Sequence, residues 1–438
     1  MKKIVILGAG LAGLSAAFHI EREKNKLKNV DYEIFEKEMK AGGLCRTEVI
    51  NGFSFDNSGH LLHLKNEYTR TLIERLLGDN LNLCKRDAWI YLRNRYIRYP
   101  FQANLDSLPE KVGNECLYEF YKANADNQHK RNDEFANFED WILGRFGKGI
   151  ARHFMVPFNR KLWGRDLKEI SCKWVDKYIP VPRAEDIVNE TGENKKKDYG
   201  YNVTFLYPKT GGIQTLPDAF EKKVKKIRLG MEVNEIDLKN KVLRFSNKEE
   251  IKYDVLISTI PLKELIRITI NPPKRINNYA ESLEHNSVLI INLGIKRNDS
   301  LKHWVYVPEE IYPFYRFGYF SNFSQHMAPK GESSLYCEVS YRRERKIDEE
   351  KVRNDVINGL IDIRVIKDES EIIEKKVLNI EYAYVIYNSE HEKLTKEIHE
   401  FLKQNSIFSI GRYGSWEYSS MEDAIIQGRD AVNQIAGE

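Results

Sequence analysis

Cysteine is scarce and unpatterned in this chain of 438 residues. Cys45, Cys84, Cys116, Cys172 and Cys337 are scattered, with no CxxC pair and no Cys/His spacing of a zinc site. An odd, dispersed set excludes a disulfide framework and reads as reduced thiols in a cytoplasmic protein, with no metal. No stretch reaches the roughly 18 consecutive apolar residues of a membrane span. Lys2 and Lys3 before an apolar run imitate a secretory leader, but the glycines inside that run fall at fixed positions with another meaning. Charge of one sign is also lacking. With 69 Lys and Arg against 65 Asp and Glu the net charge is only +4, which gives no support to a nucleic-acid role. A local basic pocket for a small anion stays compatible with that balance. There is no internal repeat. The remaining composition, 42% apolar and 31% charged, is that of a globular protein, and the length predicts two or three domains.

The first positive signal is KIVILG followed by Ala9-Gly10-Leu11-Ala12-Gly13. The β-branched run predicts a strand buried on both faces. Gly8 allows the tight turn, Gly10 a close backbone approach to a pyrophosphate, and Gly13 close packing of the next helix, whose N-terminus supplies N–H donors. A second strand, Asp31 to Phe35, ends at Glu36, an acid placed to hydrogen-bond ribose hydroxyls, with Lys37 next to it. The longer spacing to Glu36 is explained by a charged surface insertion at 23–29. Then Gly42-Gly43-Leu44, with Arg46 and Thr47 behind, resembles the second glycine pair of FAD-binding oxidoreductases of the amine oxidase type. YDVLISTIP (253–261) and a C-terminal strand ending at Gly411 read as later returns to the same sheet. A helix from about Met421, with small Ala424, Gly428 and Ala431, is expected to aim its N-terminus at the flavin.

These signals predict an α/β fold with α+β insertions: a discontinuous Rossmann-like FAD-binding domain, a helical insertion domain and an antiparallel β-sheet domain. The expected boundaries are 1–80 with 210–275 and 405–438 for the FAD unit. Residues 105–190 are expected to be helical, with breaks at Gly147 and Pro157. Residues 85–104, 195–209 and 280–400 are assigned to the sheet. The lysine-rich stretch 189–202 reads as a loop.

Several further motifs, in order, resemble the UDP-galactopyranose mutase family, nearer its eukaryotic-type branch. The family's Gly-Gly-His loop is present as Ser58-Gly59-His60, with the first glycine changed. Its Tyr-Pro-Phe-Gln segment is intact as Tyr99-Pro100-Phe101-Gln102, and a Pro-Phe-Asn-x-Lys-x-Trp stretch stands as Pro157 to Trp163, including Phe158 and Asn159. Asn202, Tyr306, Arg316, Tyr384 and Tyr418 match substrate-side residues of the family, and Arg412 an arginine near the flavin. A second diphosphate arginine of the family is absent; Tyr178 takes its aligned place, with Lys177 and Arg183 nearby.

The resemblance implies FAD as cofactor, active when reduced and reduced by NAD(P)H, and a UDP-sugar as substrate. Self-association is left open. The implied reaction is the net non-redox interconversion of UDP-galactopyranose and UDP-galactofuranose, with the reduced flavin N5 forming a covalent bond to the sugar. On this reading Tyr99, Phe101, Gln102, Phe158, Asn159 and Tyr178 shape the substrate pocket. His60, Trp163, Asn202, Tyr306, Arg316, Tyr384 and Tyr418 serve the reaction. Phe101 is expected to offer a ring to the uracil and Arg316 a two-bonded grip on the diphosphate. Gly59 is expected to soften the loop of His60 and keep bulk away from the flavin face. Taken singly, each aromatic or arginine has a packing or ion-pair explanation; their conjunction behind a complete dinucleotide fingerprint carries the reading. The alternatives are a true oxidoreductase of the amine oxidase or protoporphyrinogen oxidase type, a mutase acting on another nucleotide-pyranose, and a flavin-binding scaffold without catalysis.

Overall fold

The β-branched run at the N-terminus becomes the middle strand of a five-stranded parallel sheet. In this computed structural model, which describes residues 1–23, 27, 29–179, 181, 203–296 and 299–437, strand β1 (Lys2–Leu7) lies between β2 (Val30–Phe35) and Val255–Ser258. Ile227–Arg228 and Ile407–Ser409 complete the two edges, also parallel. Three distant parts of the chain therefore build one sheet, as the sequence predicts for a discontinuous cofactor unit. Helix α1 (Leu11–Arg22) follows β1 directly, and the C-terminal helix α3 (Met421–Gly437) packs across it. A Cβ on Gly428 would stand 2.5 Å from the Ala12 carbonyl oxygen, so the close crossing requires glycine there.

The second layer is a seven-stranded sheet. Its order is β6 (Ile372–Val385), His285–Lys296, β5 (Glu332–Arg342), β4 (Arg316–Tyr319), β3 (Trp304–Tyr306), Ala88–Leu92 and Arg95–Arg98. It departs from the expected purely antiparallel sheet at one place: β3 runs parallel to Ala88–Leu92. Those two strands are far apart in the chain and need no hairpin between them. Thr204–Pro208, expected in this sheet, pairs instead with Leu81–Lys85 in a separate two-stranded ribbon.

Helices Glu110–Asn127 and Phe138–Ile150 and helix α2 (Val156–Trp163) form the third unit around Phe120, Phe138, Trp141 and Trp163. The expected break at Gly147 is present: its φ is +74°, and a Cβ would lie 2.2 Å from the Glu119 carbonyl oxygen. Pro157 stands in the first turn of α2, directly after a π-helical segment, Ala151–Met155, so the expected interruption there is a change of helical type rather than a break. Among the described residues, no helix is long and apolar enough to cross a membrane. The lysine-rich stretch 189–202, including Asn202, and Arg183 lie outside the described residues.

Candidate active site

The two glycine loops meet at the carboxyl end of β1. The Gly42 amide donates to the Ala9 carbonyl at 2.8 Å, and Gly10 pairs with Gly42 as an isolated bridge. Gly8 (φ +95°) and Gly13 are confined by protein: a Cβ on Gly8 would lie 2.1 Å from Thr259 Oγ1, and one on Gly13 2.0 Å from the Gly8 carbonyl oxygen. A Cβ on Gly10 would meet nothing nearer than the Gly43 Cα at 3.9 Å, so Gly10 borders open space. Glu36 is buried, and its Oε2 accepts the Ala9 amide at 2.7 Å. Lys37 is exposed and Leu44 half-buried. Arg46 stands 3.9 Å from Glu36, with its buried Nε unpartnered among the described residues. A cradle at Gly10 free of side chains, an unpartnered guanidinium N–H and an acid at the end of β2 fit the adenosine diphosphate part of FAD. At the start of α3 a side chain ties the helix to the segment 65–69. Next to the half-buried Met421, Glu422 accepts the Lys65 and Asn66 amides and the Thr69 hydroxyl.

The second cluster is created by strand register. Tyr306 on β3 lies opposite Arg316 on β4, and Arg316 opposite Glu338 on β5, so three side chains form one row across the sheet. Arg316 Nε and Nη2 donate to the two Glu338 carboxylate oxygens at 2.6 and 2.8 Å, and the Ser58 hydroxyl donates to Glu338 at 2.5 Å. Glu338 is 1% exposed. Burial alone would raise its pKa. The Arg316 charge and the hydrogen bonds from Arg316 and Ser58 win, and hold it below the usual carboxylate range. The sequence reading left Glu338 out and expected Arg316 to have its fork free; that expectation is corrected. The signal was a lone acid inside the apolar strand YCEVSY.

Ser58 thus binds the sheet through Glu338, and a Cβ on Gly59 would lie 2.4 Å from the Tyr336 hydroxyl. The loop of His60 is anchored through Ser58, and Gly59 leaves the room that the Tyr336 hydroxyl occupies. The His60 Nδ1 stands 3.2 Å from the Ser58 carbonyl. Burial and then the charge of Arg412 lower the His60 pKa to about 4, so the ring is neutral at pH 7. A neutral ring donating from Nδ1 carries its lone pair on Nε2.

Around this row stands a wall of aromatic rings. Tyr306 meets Tyr99 and Phe158, each at 5.0 Å between centroids. Phe158 stacks on Phe154, and Phe154 on Phe101. Phe101 is 0% exposed and Gln102 is also buried, so in this structure Phe101 supports the wall from behind instead of presenting a free face. Asn159 is likewise buried and donates to the Met155 carbonyl at 2.7 Å. Trp163 packs against Tyr384 at 5.7 Å, and its buried Nε1 has no partner among the described residues. Tyr418 stacks on Tyr384, and Tyr178 lies edge-on to Tyr418 at 4.5 Å, its hydroxyl bonded to the Tyr418 carbonyl. The Arg412 guanidinium lies 4.6 Å from the Tyr418 ring centre and 5.4 Å from that of Tyr384, and donates to the Ser419 and Ala383 carbonyls. Arg86, unremarked in the sequence, lies over the Tyr99 ring at 5.2 Å. Burial raises the pKa of Tyr306 and Tyr384, which keeps both as O–H donors. The structure thus gathers cations, protonated phenols and one neutral imidazole in a single cleft.

Buried histidines give this fold a definite acid response. Burial lowers the pKa of His19, His60, His63 and His285 to about 4 each. The unfolded chain binds these protons near 6.5, so as pH falls from 6.5 to 4 the unfolded state gains protons that the folded state refuses. Asp56, raised to about 7 by burial, opposes this with the sign reversed, but is one group against four. The melting temperature should fall between pH 7 and pH 4.5; an unchanged value across that range would show these rings to be hydrated.

Comparison with known proteins locates this cleft in a family. The model of the flavin containing amine oxidoreductase family matches residues 11–436. A crystal structure of reduced UDP-galactopyranose mutase superposes with a TM-score of 0.92 at 30% identity, covering 100% of this chain and 94% of that one. Protoporphyrinogen oxidase of Dictyostelium discoideum is 24% identical over 69% of this chain and 68% of its own length. Coproporphyrinogen III oxidase of Bacillus subtilis is 21% identical over 99% and 97%.

Proposed function

Since the chain belongs to the flavin-containing amine oxidoreductase family, with FAD as its cofactor, we propose that it is a sugar-nucleotide mutase interconverting UDP-galactopyranose and UDP-galactofuranose. The observation that carries this reading is the row Tyr306–Arg316–Glu338 with Arg412, Tyr384 and Tyr418 beside it. Such a surface suits a diphosphate and a polyhydroxylated sugar. The likeness to reduced UDP-galactopyranose mutase over the whole chain supports the same reading.

FAD, when bound and reduced by NAD(P)H, supplies the electron-rich centre that displaces the nucleotide from the sugar; the chain's residues do the rest. Glu36 and the glycine loops hold the adenosine end. Arg316 spends two of its five N–H groups on Glu338, so it meets the diphosphate with its outer edge, held in a fixed direction by the carboxylate. Tyrosyl hydroxyls from Tyr306, Tyr384 and Tyr418 and the Trp163 N–H stabilise the charge that develops on the departing diphosphate. Arg412, with its ring stack, takes the second cationic position for which no arginine is matched in the sequence. His60, neutral and anchored, offers an acceptor at Nε2 for a sugar hydroxyl.

The porphyrinogen oxidase relatives, at 21–24% identity, favour an oxidoreductase as the second reading. One experiment separates the two. Prereduced protein given UDP-galactofuranose anaerobically should yield UDP-galactopyranose over many turnovers without added reductant. Consumption of NAD(P)H or oxygen in proportion to product would instead make it an oxidoreductase.

A further inference from the structure

Lys161 follows Phe158 by three residues on α2, so the two side chains share one face of that helix. The Lys161 Nζ donates to three backbone carbonyls: Val307 at 2.7 Å, Glu309 at 2.9 Å and Phe314 at 2.6 Å. When charged, the amine has three N–H donors, one for each of these carbonyls on one short segment; burial lowers its pKa to about 7, so the full set is held below that pH. That segment, 307–314, is the connection between Tyr306 at the end of β3 and Arg316 at the start of β4. From the same helix, Phe158 lies edge-on to Tyr306 at 5.0 Å and to Tyr315 at 6.3 Å, and Trp163 packs on Tyr384. One cation thus joins the helix that carries the wall to the loop that carries the row.

We propose that Lys161 is a positioning residue, fixing the 307–314 loop against α2 and thereby the spacing of Phe158, Tyr306 and Arg316 across the cleft. No carboxylate makes these contacts. Arg160 next to it pairs with Glu139, and Arg342 with Glu169, so both neighbouring cations have acids of their own while Lys161 spends its charge on carbonyl dipoles. Without this donor the Val307 and Phe314 carbonyls would splay, and the helix–loop contact between Tyr306 and Arg316 would loosen. Losses of position of about 1 Å remote from the chemistry cost on the order of a hundredfold in rate.

A cavity of about 340 Å³ opens beside Lys161, lined also by Arg160, Gly164, Pro313, Ser340, Tyr341, Arg342 and Arg345. It offers small solutes a way toward the Lys161 side chain, and raised salt screens the repulsion between its arginines and a cationic rescuer. The test uses FAD-loaded wild type, Lys161→Ala and Lys161→Met. Hydrogen exchange should rise in 156–164 and 304–319 of both variants and stay unchanged in the parallel sheet. Ethylammonium should restore protection to Lys161→Ala, whose missing stem leaves room, and not to Lys161→Met, whose stem still fills the space. Equal exchange in all three proteins, or equal rescue of both variants, would overturn the proposal. As a consequence for function the inference rests on the mutase reading: turnover of Lys161→Ala should fall at least tenfold and recover with ethylammonium, while flavin content stays constant. Absence of mutase turnover in the wild type would sink that reading and leave the exchange result to decide the role of Lys161.

Discussion

Arg316→Ala should abolish UDP binding, cut turnover by a factor of about 10²–10³ and also destabilise the protein, three effects with two separable causes. The ligand effect follows from the loss of a guanidinium edge in the cleft. The stability effect follows from Glu338. That carboxylate is 1% exposed, and Arg316 supplies two of its donors beside the Ser58 hydroxyl and Tyr315. Removing one partner of a buried pair leaves an uncompensated charge and costs about 3–5 kcal/mol. Replacing both partners with uncharged groups removes that penalty, so Arg316→Met with Glu338→Leu should recover most of the melting temperature and none of the UDP affinity. Arg316→Lys should rescue poorly, because an ammonium cannot reproduce the bidentate geometry on Glu338 and face the ligand as well. Raising salt should weaken UDP binding by the wild type more than by the variants. Flavin fluorescence during UDP titration, with thermal unfolding of each variant, reads all of this. UDP affinity retained in Arg316→Ala would make the pair purely structural and remove the main support of the mutase reading.

The two halves of the cleft differ in how they could be read from sequence. The cradle is local: Gly8, Gly10, Gly13 and Glu36 fall within one βαβ unit, and local spacing specifies what each glycine must allow. The row Tyr306–Arg316–Glu338 is not local. It depends on the register of three strands, and Glu338 in YCEVSY gains meaning only when β5 is laid against β4. For the same reason the pairing of the Arg316 fork with Glu338 is not legible in sequence. Phe101 illustrates the limit from the other side: its motif is legible, but the Phe154 ring that covers it comes from a helix some fifty residues away. The change from glycine to Ser58, a departure from the family pattern in sequence, has a physical reason once Glu338 is seen, since the added hydroxyl is a further donor to that carboxylate.

Gly10→Ala and Gly13→Ala, three residues apart in the same loop, should fail in opposite ways. At Gly13 the new methyl would stand 2.0 Å from the Gly8 carbonyl oxygen and 3.3 Å from Ile6. The first contact is with backbone, which cannot rotate away, so α1 must leave β1. That helix buries Leu14, Ala16, Ala17 and Ile20 against the sheet and α3, and the fully buried Leu14 and Ile20 alone represent about 3–6 kcal/mol of apolar burial. Gly13→Ala is therefore expected to be insoluble or to melt far below the wild type, with or without cofactor. At Gly10 the methyl would meet no protein atom nearer than 3.9 Å, and α1 keeps its place. It would instead project into the cradle where the pyrophosphate must approach the backbone. Gly10→Ala should fold, show the wild-type far-ultraviolet circular dichroism, and emerge colourless or with FAD that is lost on dialysis. The measurement is the ratio of flavin to protein absorbance beside the melting curve of each variant. A yellow, stably loaded Gly10→Ala protein would mean that the cofactor does not cross this turn, and both the cradle and every role assigned around it would have to be given up.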